Sequence, residues 1–468
     1  MKILKFGGSS LATAERIKAV ANIVDESLAT DRVAVVVSAM GGVTNALVAI
    51  GREAASGRDY HARLEDLRTR HQKTAGELLR SDEAAEVSTS IDQLLDDLGR
   101  LLHGVSLVGE CSPRTGDTVL SCGERLSARL LSAALCAANT QAEFCDAREL
   151  IVTNGSFGNA QVDMEVTGER IRGLFASDGP TQIITGFIAA DADGDTTTLG
   201  RGGSDFTASI IGAALGASCI EIWTDVDGVM SADPRMVPGA FSLSSMSYDE
   251  LMELSHFGAK VVYPPTLRPA RAHSIPIVIR NTFNPSFAGT KVVEETHGNG
   301  NLIRGISAVD EVALLRLEGD GMVGVPGIAS RLFGVLARRE ISAILISQAS
   351  SEHSICFAVE PGAVDEAQQR VDAEFELERG ADLVNDVVVE TGFSIIAVVG
   401  EAMCRIPGIA GRVFSALGES GINIRAIAQG SSELNISLVV SGVDQAAAIV
   451  AVHDAFFPTG SQQVTKGI

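Results

Sequence analysis

The sequence predicts an α/β fold in two parts: an open, mainly parallel sheet covered by helices on both faces, then two copies of a small strand–helix module. Strand, glycine-containing loop and helix recur in that order from the N-terminus, the pattern of a doubly covered parallel sheet. Downstream, Pro326-Gly327-Ile328-Ala329 returns as Pro407-Gly408-Ile409-Ala410, 81 residues on, and Gln348-Ala349-Ser350-Ser351-Glu352 returns as Gln429-Gly430-Ser431-Ser432-Glu433 at the same offset. A chain of 468 residues also exceeds the size at which one hydrophobic core stops growing, so two or more domains are expected. With 48 glycines and 4% aromatic residues, α/β structure with tight turns fits better than an aromatic-rich sandwich.

In order along the chain, residues 2–6 form an apolar strand running into Gly7-Gly8-Ser9-Ser10. A helix is predicted from about Thr13 to Leu28, with Ile17, Val20, Ala21 and Val24 at helical spacing. Val33–Val37 reads as a strand buried on both faces and ends in Ser38-Ala39-Met40-Gly41-Gly42. Helical patterns fill about 62–108 and 121–138, and strand-like runs recur at Gln182–Ile188, Cys219–Thr224 and Pro276–Ile279. Gly298-Asn299-Gly300-Asn301 marks a linker, giving a first domain over 1–297 and a second over 302–468. The repeat copies fall at about 312–385 and 393–468, and a second helix is expected at about 363–376, before the second copy.

The 37 basic and 59 acidic side chains give a formal net charge of −22. That field repels phosphate backbones and anionic headgroups, which argues against nucleic acid and membrane partners. Seven cysteines, an odd number without a C-x-x-C pair, read as small, mainly buried thiols in a reducing compartment. No apolar run has the length of a membrane span, and Lys5 with two glycines interrupts the first one, so a cytoplasmic protein is expected.

The phosphate loop of P-loop enzymes, the protein-kinase catalytic loop, the serine-hydrolase elbow and H-E-x-x-H are all missing. Four other loops could carry chemistry. A lysine near the end of a buried strand, such as Lys5, is costly unless it faces an anion, and Gly7, Gly8 and Ser9 could bring N–H groups close to phosphate. The alternative is a surface lysine before a glycine turn. Arg201, within Gly200-Arg201-Gly202-Gly203-Ser204-Asp205, offers a planar fork for a carboxylate, while Ser204 and Asp205 suit helix caps. Thr224-Asp225-Val226-Asp227-Gly228 and Asp233-Pro234-Arg235 are either ordinary turns or a nucleotide cradle. Lys260, Ser38, Thr44 and Glu124 each have a structural alternative, Glu124 as a helix-face carboxylate paired with Arg125 or Arg129.

In one order along the chain, KFGGSS at 5–10, SAMGGVTN at 38–45, GERLSA at 123–128, GRGGSD at 200–205, WTDVDGV at 223–229, DPR at 233–235 and FGAKVVYP at 257–264 resemble the aspartate kinases of the amino acid kinase superfamily. The resemblance runs nearly chain-long, and the repeats look like ACT modules, βαββαβ domains that bind amino acids. It implies a three-layer αβα kinase fold and the reaction ATP + L-aspartate → ADP + 4-phospho-L-aspartate, the first step toward lysine, threonine and methionine. It further implies that Lys5 neutralises the transferring phosphoryl group and Asp205 positions Lys5. Ser38, Thr44, Glu124, Arg201 and Ser204 would hold aspartate. Gly7, Gly8, Ser9, Thr224, Asp225, Met230, Arg235 and Lys260 would join Lys5 in holding ATP with its Mg2+. Met230, Tyr263 and Ser9 depart from the commoner aromatic, histidine and threonine at these places.

Gln348 and Gln429, each before a Ser-Ser-Glu turn, resemble the regulatory modules of threonine-sensitive and bifunctional aspartokinase–homoserine dehydrogenases. They imply threonine feedback through Ile341, Gln348, Ile422, Asn423 and Gln429, and a homodimer or homotetramer joined by the ACT modules. No dehydrogenase fingerprint follows, so a monofunctional enzyme or the kinase portion of a fused one is expected. A sibling kinase for glutamate, acetylglutamate or UMP, and a non-catalytic regulatory subunit, are the competing readings.

Overall fold

A computed structural model describes residues 1–258, 262–296, 302–348, 353–404, 406–430 and 432–458. The chain divides into two compact units, Met1–Val229 with Ser242–Tyr248 and Lys260–Thr296, and Met230–Phe241 with Asp249–Ala259 and His297–Ile468.

The first unit contains strands β1 (Lys2–Phe6), β2 (Val33–Val37), β3 (Ala142–Cys145), β4 (Val152–Thr153), β5 (Thr181–Thr185), β6 (Ile188–Asp191), β7 (Thr196–Thr198), β8 (Cys219–Thr224), β9 (Ser245–Ser247), β10 (Ile277–Asn281) and β11 (Thr290–Val293). Eight of them form one sheet in the order β3-β5-β2-β1-β8-β10-β11-β9, and β4-β6-β7 form a small second sheet. From β3 to β10 every neighbouring pair is parallel; β11 turns antiparallel to β10. Every residue of β2 and of β5 is buried, as expected of strands covered on both faces.

Helices α1 (Ala14–Leu28), α2 (Val43–Ala55), α3 (His61–Leu78), α4 (Ser81–Val108) and α5 (Pro113–Ala137) share one core with Leu4, Phe6, Val35 and Val37. Those four alternate along their strands, so Ile3 and Lys5 face the other side. There lie α6 (Met164–Leu174) and α7 (Gly203–Leu215), the latter against β1, β2 and β8.

Three local expectations change. The helical run from 62 to 108 breaks at extended Leu79, and α4 restarts where Glu83 Oε2 reaches back to accept the Arg80 N–H at 3.3 Å. The helix expected from 121 begins at Pro113, because the Ser112 side chain accepts the Thr115 N–H and proline suits the first turn. The strand expected over 182–188 splits: Gly186 N–H bonds the Val37 carbonyl, Phe187 turns to a φ of 69°, and β6 starts in the other sheet. The cysteines also divide, with Cys122 and Cys145 buried and Cys136 and Cys404 exposed.

In the second unit, β12 (Gly305–Glu318), β13 (Leu345–Gln348), β14 (Ser354–Val359), β15 (Val388–Val399), β16 (Ile424–Ala428) and β17 (Asn435–Ser441) form an antiparallel sheet ordered β13-β14-β12-β15-β17-β16. The long strands β12 and β15 serve both modules. Gly305–Val309 pairs with Ile395–Val399, irregularities follow around Val312, and Leu314–Arg316 pairs with Val388–Glu390. Each module has its own core, one around Leu315, Leu332 and Phe357 and one around Ile306, Val398, Val413 and Leu438. The repeat is physical as well as textual: Ile341 N–H donates to the Leu336 carbonyl at 3.1 Å, and Ile422 N–H to the Leu417 carbonyl at 3.0 Å.

Candidate active site

Because β5, β2, β1, β8 and β10 are adjacent and parallel, the loops leaving their carboxyl ends open on one edge of the sheet, where ligands of such sheets bind. Backbone bonds stitch the loop starts together: Ser38 N–H to Phe6 O at 3.1 Å, Gly7 N–H to Trp223 O at 3.0 Å, Gly186 N–H to Val37 O at 2.8 Å and Thr282 N–H to Thr224 O at 2.9 Å.

Lys5 is one residue from the end of β1 and faces α7. Its Nζ lies 2.5 Å from Asp205 Oδ1, with both side chains about nine-tenths buried. A pair so removed from water holds each charge in place, and losing one partner would strand the other. Asp205 is not the helix cap expected from its position; the cap is Gly202, with a φ of 70°, and no side chain caps there. Asp205 instead lies in the first turn of α7, and its carboxylate is engaged by Lys5.

Two close approaches tighten this edge. A Cβ on Gly8 would lie 2.8 Å from the Ala39 carbonyl oxygen, so only glycine lets the loop after β1 meet the loop after β2. A Cβ on Gly186 would lie 2.6 Å from Ser204 Cβ, so glycine there lets β5 meet the start of α7. Three helical N-termini follow these loops: a short 3-10 turn at Gly8–Leu11, α2 and α7. Their free N–H groups make the edge receptive to anions.

Glu124 reaches the same edge from α5. Its Oε1 accepts the Ala39 N–H at 3.1 Å, whereas Oε2 is buried with no hydrogen-bond partner. Removal from water pushes this carboxyl up to about 8, opposed by the Ala39 bond. Neither arginine suggested as its partner takes that part: Arg125 approaches Asp146, and Arg129 lies over Phe144 and donates to Ser90. Ser38 is half-buried at the end of β2, where its carbonyl accepts from Ser127, and Thr44 lies in the first turn of α2. Arg201, exposed in the turn before α7, has its guanidinium 5.3 Å from the centre of the Tyr263 ring. The edge therefore presents a buried ammonium, a buried carboxyl group with one unpartnered oxygen and a surface guanidinium. That combination can hold a phosphate beside a zwitterion.

Thr224 closes β8, and its hydroxyl donates to Asp225 Oδ1 at 3.2 Å. Sequence reasoning missed the groups that fix this loop. Asn281 and Asn284 both donate to Asp227 Oδ1, at 2.8 and 3.1 Å, and Ser10 shares a buried 2.7 Å bond with Thr282. The Asn281-Thr282-Phe283-Asn284 turn after β10 was the available signal. Met230 and Arg235 lie in the second unit, Arg235 exposed and paired with Asp233 at 2.6 Å. Lys260 lies outside the described residues.

Among the effector candidates, Gln348 ends β13 and lines a cavity of about 380 Å3 with Met322, Val325, Pro326, Gly327 and Ile355. Asn423 and Gln429 are exposed in the second module, and Ile341 and Ile422 anchor the ends of their helices through the backbone bonds given above. Among the described residues, no group of three His, Cys, Asp or Glu side chains could hold a metal ion, and no helix is long and apolar enough to cross a membrane.

Comparison with known proteins agrees with this architecture. The amino acid kinase family matches residues 1–281, and an ACT domain matches 315–375 and again 396–456. A bifunctional aspartokinase/homoserine dehydrogenase 1 of Zea mays, chloroplastic, is 40% identical over 461 residues, 97% of this chain and 50% of that protein. The chain thus spans about half the length of the curated relatives it first matches. E. coli aspartokinase III with aspartate and ADP superposes with a TM-score of 0.81 at 31% identity, covering 98% of this chain and 100% of that one. The same enzyme with lysine and aspartate gives 0.80 at 32% identity, with coverage of 98% and 99%. By matched domains, sequence and fold, the chain belongs to the amino acid kinase family, in its aspartokinase branch.

Proposed function

We propose that this chain transfers the γ-phosphoryl group of MgATP to the side-chain carboxylate of L-aspartate, giving ADP and 4-phospho-L-aspartate. The observation that carries it is the presence, at one sheet edge, of a buried Lys5 ammonium and a buried Glu124 oxygen without a partner. Glu124 would receive the substrate ammonium and Arg201 its α-carboxylate, with Ser38, Thr44 and Ser204 orienting it. The β-carboxylate then points at phosphorus. A carboxylate is already nucleophilic near neutral pH, so no general base is needed. Catalysis reduces to positioning and charge neutralisation. Gly7, Gly8 and Ser9 would face the phosphates, Lys5 would meet the charge that grows on the transferring group, and Thr224 and Asp225 would contact the nucleotide. Mg2+ suits delivery on the phosphate oxygens, where it would neutralise the β- and γ-phosphates.

The E. coli relative is described with aspartate and ADP, which supports this substrate pair. Initial rates with aspartate and with glutamate, read as ADP release and as acyl phosphate trapped by hydroxylamine, test the reading. Turnover of glutamate without turnover of aspartate would replace it with a sibling kinase.

Regulation follows from the two ACT modules. We infer threonine as the effector, bound near Gln348 and Gln429, and homo-oligomers joined through these modules, where Ile346 and Ile427 are exposed. The E. coli relative is described with lysine, so the decisive measurement is the aspartate-dependent rate titrated with each amino acid separately. Inhibition by lysine alone would reassign the effector.

A further inference from the structure

A loop can aim several N–H groups at an anion only if its carbonyls point elsewhere. In the loop after β1, the Ser9 carbonyl is held by a side chain outside the motif: Arg16 Nη1 donates to it at 2.7 Å, partly buried. The same guanidinium lies over the Phe283 ring, 4.7 Å from its centre. Phe283 N–H bonds Asn281 Oδ1 at 2.9 Å, and the Asn281 amide holds Asp227 of the loop after β8 at 2.8 Å. Arg16 therefore joins the loop expected at the phosphates to the loop expected at the nucleoside.

Its placement runs against local preference. Arg16 occupies the first turn of α1, whose cap Thr13 accepts the Arg16 N–H. Cations are disfavoured at this end of a helix dipole. No carboxylate among the described residues forms an ion pair with it, in a chain of net charge −22. A locally unfavourable, acid-free arginine that holds a carbonyl and stacks on a half-exposed phenylalanine has a task beyond folding the helix.

We propose that Arg16 is a positioning residue for the nucleotide, keeping the Ser9 carbonyl turned away from the phosphates and bracing the two loops through Phe283. This rests on the phosphotransfer reading above. The test compares wild type with Arg16→Gln, Arg16→Lys and Phe283→Ala in steady-state kinetics, ADP titration and thermal unfolding. Arg16→Gln should raise KM for MgATP and the dissociation constant for ADP about tenfold, the scale of one charge-assisted hydrogen bond. KM for aspartate and the thermal midpoint should stay at wild-type values. Arg16→Lys, which keeps the charge but not the planar fork, should fall between. Phe283→Ala should shift the same two constants, and adding it to Arg16→Gln should give less than the product of the single effects. If Arg16→Gln does not fold, the other two variants carry the same readout. Unchanged nucleotide constants in an active wild-type background, or a lowered thermal midpoint with unchanged KM, would overturn the inference alone. A wild type without aspartate-dependent ADP release would overturn the phosphotransfer reading and this inference with it.

Discussion

Glu124 ties the site to pH. Its carboxyl is raised to about 8 by burial, so near neutrality it is largely protonated in the empty site. An ammonium group beside the free Oε2 favours the carboxylate, so aspartate binding should expel a proton. KM for aspartate is therefore expected to fall as pH rises through about 8, and Glu124→Gln should show a high KM without that slope. A slope that survives Glu124→Gln would assign the titration elsewhere. For stability the sign is opposite: a raised folded value gives a contribution complete below the ordinary carboxylate range and lost as pH climbs through about 8. Lys5 makes a different prediction, because charge on the transferring group peaks in the transition state. Lys5→Ala should cut kcat by about 10²–10³-fold, the scale of losing one preorganised donor, while ADP affinity changes far less. An unchanged kcat would remove Lys5 from the chemistry. Lys5 was legible as a candidate because lysine on a buried strand is costly, whereas Glu124 became one only through the resemblance. The resemblance had already set Asp205 beside Lys5, but the partner of Glu124 was not legible, since helical spacing gives a face and not which of Ala39, Arg125 or Arg129 meets it.

At the scale of elements, the start of α7 is set by what β5 allows. Gly186 has an ordinary backbone conformation, since it is absent from the positive-φ residues, so alanine there is a test of space alone. Its methyl group would meet Ser204 Cβ at 2.6 Å and push the first turn of α7, with Asp205, away from Lys5. Overpacking of this kind costs about 1–3 kcal/mol. Gly186→Ala is expected to reduce kcat/KM for aspartate more than tenfold, on the scale of such a displacement, with only a modest fall in thermal midpoint. Equal losses of activity and stability would mean that α7 moves as a body and the contact is generic packing. This junction was hidden in sequence. Gln182–Ile188 reads as one apolar strand, because the break at Phe187 depends on a tertiary bond from Gly186 to Val37. Position alone gives Ser204-Asp205 after a glycine pair the chemistry of a cap; it was the resemblance that set Asp205 beside Lys5, where it lies.

Over the whole molecule, the mainly parallel sheet and the repeat were readable from periodicity and from the 81-residue echo, whereas the strand order and the way the second unit is assembled were not. Its second-module core recruits Ala232 and Val237 from a segment far upstream, packed with Ile303, Ile306, Val398 and Leu438. Ser231 fastens the segment: its carbonyl accepts the Ile306 N–H at 2.8 Å, and its hydroxyl pairs with His453 at 3.1 Å. No composition shift marks residues 230–241, because a short apolar turn reads alike in either core. A fragment cut at the linker, 1–297, would keep Ala232, Met236, Val237 and Ala240 but lose everything they pack against in that core. Uncovering one valine of this kind forfeits about 1.5–3 kcal/mol, and the exposed patch favours association. The fragment should therefore bind a hydrophobic dye, sediment as mixed oligomers and unfold at a lower temperature than the full chain. Val237→Asp in the full chain should reproduce the dye binding, because it buries a charge without a partner. A dye-silent monomeric fragment that unfolds at the temperature of the intact chain would show that residues 230–241 fold without the second module. The interleaved core would then contribute nothing to the stability of the molecule.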